Sequence, residues 1–266
     1  MNITTIVTKV VDGDTINVEP FPDGEDSIRL LGIDTPETNY RGHNQGKHAD
    51  AAKAFLNELV RVGDTVRLET DQEERDKYGR VLAYLFKGDE NINVKLVVDG
   101  MAAPYQIYPN LKFFHEVRRA AIDARKQKRG IYEPAEPLAE LPFEFRMRVD
   151  GRAPHKYVGD FQTKIYYHPT EYELVPLQNR VFFFNSEDAM DAGYTMRPGV
   201  NLSHVVNKAY QELSFAELLQ AQVSALKGLS ERDAELLNEA FGIKTIEDLA
   251  DNKFFKWAQA IKNLAE

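Results

Sequence analysis

Cysteine is absent from all 266 residues, which excludes disulfides, thiolate metal sites and cysteine nucleophiles. Any metal must therefore take oxygen or imidazole ligands. No run of 18 apolar residues occurs, so neither a membrane-spanning helix nor a membrane partner is expected. The opening MNITTIVTKVVDGDT lacks the basic start, apolar run and cleavage site of a secretory leader; a cytoplasmic protein is the expectation, or a secreted one if a leader has been removed. An excess of positive charge is also missing. The chain carries 33 Lys and Arg against 42 Asp and Glu, a net charge of −9, which argues against broad adhesion to polyphosphates and confines any nucleic-acid contact to a local patch. Residues 1–133 are net −3 and the remainder net −6, so the N-terminal part lies nearest neutrality. What is present is ordinary globular material, 43% hydrophobic and 28% charged, long enough for two or three domains.

Residues 4–11 (TTIVTKVV) are rich in β-branched side chains and run into Asp12-Gly13, after which residues 15–18 resume an extended pattern, the signature of a hairpin. Residues 27–33, 65–70 and 81–86 read as three further strands. Helical periodicity marks residues 49–60, 92–98 and 111–129. Five short strands with three helices predict a closed five-stranded barrel of OB type over residues 1–133, within a multidomain α+β chain. The stretch EPAEPLAELP, residues 133–142, has the composition of a linker, so residues 134–155 are expected to be a linker and a lead-in strand at 143–149. Strand patterns at 164–167 and 180–184, with a helix at 186–192 capped by Ser186, predict a small α+β module over residues 156–205. Helical patterns dominate residues 206–266, which are read as an all-α domain.

Three acidic residues stand beside turn residues in the N-terminal part: Asp14 in DGDT, and Asp34 and Glu37 in IDTPET. Turns bring carboxylates to a barrel rim. Calcium takes six to eight oxygen ligands, and two Asp carboxylates with one backbone carbonyl leave positions for water and a phosphate oxygen. Asp14, Asp34 and the carbonyl of Thr35 fit that need, with Pro36 stiffening the second turn. Arg29 and Arg80 supply guanidiniums able to grip two phosphate oxygens at once. Arg29 and Asp34 are an odd number of residues apart, so in a regular strand they would face opposite ways; a bulge or turn near Gly32 is expected to bring them together.

The motifs V-D-G-D-T (residues 11–15), I-R-L-L-G-I-D-T-P-E-T (28–38) and D-K-Y-G-R-V-L-A-Y (76–84), in this order, closely resemble the staphylococcal nuclease family, the thermonucleases. The likeness runs through about Glu133, including LVVDGMAAPY and a final helix ending KRGIY. It implies an OB-fold phosphodiesterase that uses one Ca²⁺ to cleave DNA and RNA, leaving 3′-phosphates. Carried over by position, it implies Asp14, Asp34 and Thr35 as metal ligands and Arg29, Glu37 and Arg80 as catalytic side chains, Glu37 orienting or deprotonating an attacking water. It implies substrate contacts for Lys77 and Tyr78 and base stacking for Tyr108. Here the chain reads YQIY, so Tyr105 or Gln106 takes the other aromatic position of the family pattern. A noncatalytic nucleic-acid or protein-binding module on the same fold is the alternative. His43 and His48 lie in a polar loop and read as solvated.

Residues 157–198 resemble the small zinc domain of Ada-type repair proteins, but its cysteine positions fall near Thr170 and Met196, and His168 alone cannot hold structural zinc; a metal-free fold is expected, packed by Phe182, Phe183 and Phe184. Residues 226–250 resemble a helix-hairpin-helix module with Gly228 in the hairpin. Residues 206–266 carry 7 basic and 10 acidic side chains, which favours a protein partner or plain packing over DNA contact. Phe254, Phe255 and Trp257 are expected in its core.

Overall fold

A computed structural model describes residues 2–21, 27–197, 205–211, 213 and 215–265. It divides into two compact units, Met1–Arg197 and Pro198–Glu266. In the first, β1 (Asn2–Asp12), β2 (Thr15–Glu19), β3 (Ser27–Leu30), the short β4 (Ile33–Asp34), β5 (Thr65–Glu69) and β6 (Val81–Lys87) follow the predicted strands. Antiparallel pairing runs β3-β2-β1-β5-β6, with β7 (Glu90–Asn91) at the end of the sheet, and a parallel β3–β6 pairing closes the five long strands into a barrel. Alternate residues point inward: Val7, Ile16, Ile28, Leu30, Val66, Leu68, Ala83 and Leu85 are almost fully buried in one core. Three helices cover it. Helix α1 (Lys47–Leu59) turns Ala49, Ala52 and Leu56 inward, α2 (Ile92–Val98) is capped by Asn91, whose side chain accepts from Val94 N, and α3 (Phe114–Lys126) buries Val117, Ala120 and Ala121.

The sequence-based boundary at 133/134 is not where the molecule divides. The short strand β8 (Ala103–Pro104) pairs with β4, and β9 (Gln106–Ile107) pairs in parallel with β12 (Arg180–Phe183), the latter belonging to the segment expected to be separate. That sheet runs β13 (Thr195–Met196), β11 (Ile165–Tyr167), β10 (Tyr157–Asp160), β12, β9. Its faces bury Val158, Tyr166, Val181, Phe182 and Phe183, while Phe184 is 55% exposed. Residues 143–149, expected as a strand, form instead the helix α4 (Pro142–Asp150). The alternation Phe143, Phe145, Met147, Val149 imitates a strand, yet the termini dictate a helix. Pro142 stands in the first turn, Glu144 accepts from Leu141 N at 2.8 Å, and Gly151, at φ 62°, closes it in the left-handed region. Helix α5 (Ser186–Asp191) is capped by Asn185, not Ser186: the Asn185 side chain accepts from Asp188 N at 2.7 Å. Thr170 lies in a 3₁₀ turn beside His168, Met196 lies in β13 opposite Tyr166, and the residues that follow them, Glu171 and Arg197, are ion-paired at 2.7 Å.

The second unit is helical, with α6 (Phe215–Gln220), α7 (Glu231–Phe241), α8 (Ile246–Asp251) and α9 (Lys253–Ala265). Ser230 and Thr245 cap α7 and α8, and Val223, Ala225 and Ile243 form its buried centre. Phe254, Phe255 and Trp257 are not in that centre; they are 50%, 46% and 58% exposed. No helix among the described residues is long and apolar enough to cross a membrane.

Candidate active site

The β1–β2 turn delivers Asp14 and the end of β4 delivers Asp34; both are buried, at 7% and 0% exposure. Gly13 permits the first approach, since a Cβ there would sit 2.7 Å from Thr35 Oγ1. Asp14 Oδ2 accepts from Thr35 N at 3.0 Å, so the two turns lock together. Arg29 on β3 is paired with Thr15 across the sheet, and its guanidinium reaches forward rather than away. Gly32 lies between β3 and β4 at φ 75° and reverses the parity, as the odd spacing required. Arg29 Nη2 stands 3.0 Å from Asp14 Oδ2 and 2.8 Å from Asp34 Oδ1, while Nη1 donates to the carbonyls of Leu30 and Ile33.

Glu37 follows the Thr35-Pro36 turn. Its amide donates to Gln45 Oε1, and its carbonyl accepts from Gln45 N. Burial pushes its carboxyl up to about 7, helped by Asp34 and Asp14 and opposed by Arg146. Arg146 is the residue that sequence reasoning missed. From α4 it donates through Nη1 to Asp34 Oδ1 (3.0 Å) and to Glu37 Oε1, and through Nη2 to Asp34 Oδ2 (2.9 Å). Its burial works against the charge, but Asp34 and Glu37 more than offset that and hold it firmly protonated. The outcome is a chain of alternating charge, Asp14–Arg29–Asp34–Arg146–Glu37. The Glu37 loop is tied to the same helix and to the segment before it: Tyr40 Oη donates to Asp150 Oδ2 at 2.8 Å, and Gln45 Nε2 to Glu140 O.

Three carboxylates against two guanidiniums leave one uncompensated negative charge, and the donors are hard oxygens, a set that suits a cation of the calcium kind. Among the described residues no three Asp, Glu or His side chains are gathered closely enough to hold an ion as they stand. The physical reason is visible, because the two arginines lie between the acids. The donor chemistry fits; the seat is shared with Arg146.

Asp34 is fully buried, while Asp14, Arg29, Glu37 and Arg146 border a cleft of about 790 Å³. Arg80 also borders it but does not touch the three acids; its Nε and Nη2 hold Asp76 at 2.8 and 2.7 Å. Tyr78 is 73% exposed at the cleft mouth with Lys77 Nζ 5.1 Å from its ring centre. Tyr105, expected as a substrate contact, is built into a wall: its ring stacks on Phe143 at 5.5 Å and meets Phe182 at 4.8 Å. Tyr108 is half-buried, packs on Phe183 at 5.4 Å against the core of the second sheet, and does not border the cleft. His43 is exposed and His48 half-buried, neither near the acids' bonds.

A family model described as staphylococcal nuclease homologue matches residues 27–134. Endonuclease YhcR of Bacillus subtilis (strain 168) is 35% identical over 208 residues, covering 75% of this chain and 17% of that protein. Thermonuclease of Staphylococcus intermedius is 40% identical over 129 residues, 48% of this chain and 75% of the relative; that of Staphylococcus hyicus is 40% identical over 131 residues, 47% and 73%. The chain thus spans most of the thermonucleases it matches but about a sixth of the length of YhcR. At 208 residues, the likeness to YhcR extends well past the family segment.

Proposed function

The chain belongs to the staphylococcal nuclease family, and on that premise we propose that it is a calcium-dependent phosphodiesterase that hydrolyses DNA and RNA to 3′-phosphate products. The observation that carries the reading is the linkage of Asp14, Arg29, Asp34 and Glu37 through one chain of ion pairs, with Asp14, Arg29 and Glu37 bordering the cleft and Asp34 buried. When bound at Asp14, Asp34 and the Thr35 carbonyl, calcium supplies Lewis-acid charge to a phosphate oxygen. Arg29 is held by two backbone carbonyls, so its guanidinium is preorganised to face added negative charge on phosphorus with little rearrangement. Arg80 borders the same cleft as a second guanidinium, available when Asp76 yields to a phosphate. Glu37, with a proton affinity near neutrality, is suited to take a proton from water while Gln45 fixes its backbone. A bond forms from the water oxygen to phosphorus, the bond to the 5′-oxygen breaks, and the departing oxygen takes a proton from solvent water to leave as the 5′-hydroxyl.

Incubation of the full chain with labelled single-stranded DNA and with RNA, in Ca²⁺ or in chelator, tests this. Calcium-dependent cleavage with 3′-phosphate ends is expected. Binding without cleavage in any calcium concentration would instead select the noncatalytic module.

A further inference from the structure

Residues 142–184, beyond the segment matched by the nuclease family, form one side of the active-site cleft. Its lip carries a cation between two rings. Lys156 Nζ lies 5.4 Å from the Phe184 ring centre and 5.9 Å from that of Tyr105, and it donates to Tyr105 Oη at 3.2 Å. No carboxylate among the described residues pairs with Lys156, in a chain that is net −9. Phe184 stands open while its neighbours Phe182 and Phe183 are buried at 3% and 0% exposure. The strand alternation does not account for it, since Phe182 and Phe183 already fill both faces of β12. The same cleft is bordered by a second exposed ring with cations near it, Tyr78 with Lys77 Nζ at 5.1 Å and the Arg80 guanidinium at 5.8 Å from its centre.

We propose that Lys156 and Phe184 form a subsite for single-stranded nucleic acid, Lys156 receiving a backbone phosphate and Phe184 stacking on a base next to the one at the scissile phosphate. The proposal rests on the nuclease reading of the same cleft. An exposed ring beside an unpaired ammonium matches a polyanion whose bases have free faces. A duplex keeps those faces stacked on one another, so single strands are the substrate class that this lip selects. An acidic peptide would satisfy Lys156 and leave Phe184 without a partner.

The test is fluorescence anisotropy on the full chain in chelator, where no cleavage occurs, with labelled dT2 and dT12. The variants are Lys156→Gln with Phe184→Ser, and Phe184→Tyr as a control that keeps the ring. The double variant is expected to weaken dT12 by about tenfold or more, with dT2 unaffected, and to lower the slope of log affinity against log salt by about 0.7 for the lost lysine contact. Phe184→Tyr should retain the affinity. Unchanged dT12 binding, or an equal loss for both lengths, would overturn the subsite, as would equal displacement of dT12 by a polyglutamate peptide of matched charge. The readout needs no turnover. A wild-type chain that shows the length-dependent contact yet never cleaves in calcium would remove the nuclease reading and leave the subsite standing.

Discussion

Arg146→Gln should destabilise the calcium-free protein by about 3–5 kcal/mol at pH 8 and by much less at pH 5. The size follows from removing one partner of a buried ion pair, which leaves Asp34 facing Arg29 alone and Glu37 facing no cation. The pH dependence follows from Glu37. Its carboxyl titrates at about 7 in the folded chain against 4.5 as the ordinary value, so the folded state binds that proton more tightly than the unfolded one. Stability from this group is therefore full below about pH 4.5 and is lost as pH rises through 7, a difference of roughly 3 kcal/mol. Without Arg146 the group holds its proton to still higher pH, so the variant's penalty grows with pH. Calcium should recover more stability in the variant than it adds to the wild type, because an added cation takes up the same uncompensated charge. Thermal unfolding in chelator and in calcium, at pH 5 and pH 8, reads all of this; a loss independent of pH would show that Arg146 serves only to pack α4.

Arg29→Gln is expected to lower kcat by about 10²- to 10³-fold, equivalent to roughly 3–4 kcal/mol of transition-state stabilisation. Arg29 alone touches both buried aspartates, and its position is fixed by the Leu30 and Ile33 carbonyls. Arg29→Lys separates charge from geometry. A single ammonium keeps the positive charge but cannot span Asp14 and Asp34 while also holding both carbonyls, so only part of the loss should return. Complete rescue by lysine would mean that bulk charge, not the planar fork, does the chemistry. Single-turnover kinetics with saturating calcium separates these outcomes.

The barrel and its acids were legible because they depend on short-range signals. Asp12-Gly13 announces a turn, Pro36 stiffens another, and the odd spacing of Arg29 and Asp34 demands the reversal that Gly32 supplies. Arg146 was hidden by its setting. Its segment alternates apolar and polar residues, and read as a strand it puts Arg146 on the solvent side with Glu144 and Arg148. Read as a helix, the same residues place Arg146 one turn from buried Phe143, on the side that meets the barrel. Pro142 and Gly151 were the available signals, helix start and helix stop, outweighed by the alternation and by the proline-rich stretch before them. The misplaced boundary has a similar cause. A parallel pairing between β9 and β12 joins residues more than seventy positions apart, and nothing local in either strand names its partner. The resemblance implies base stacking for Tyr108, and no local signal announces that its half-buried ring packs on Phe183 from the partner strand.

Calcium titration by calorimetry, comparing the wild-type chain with Asp34→Asn, addresses the centre of the account. One ion should bind the wild type, and the variant, which keeps the size of the side chain but loses the charge shared by Arg29 and Arg146, should bind at least a hundredfold more weakly, about 3 kcal/mol. Equal affinity and stoichiometry in the two proteins would place the cation elsewhere and dissolve the link between these acids and the chemistry.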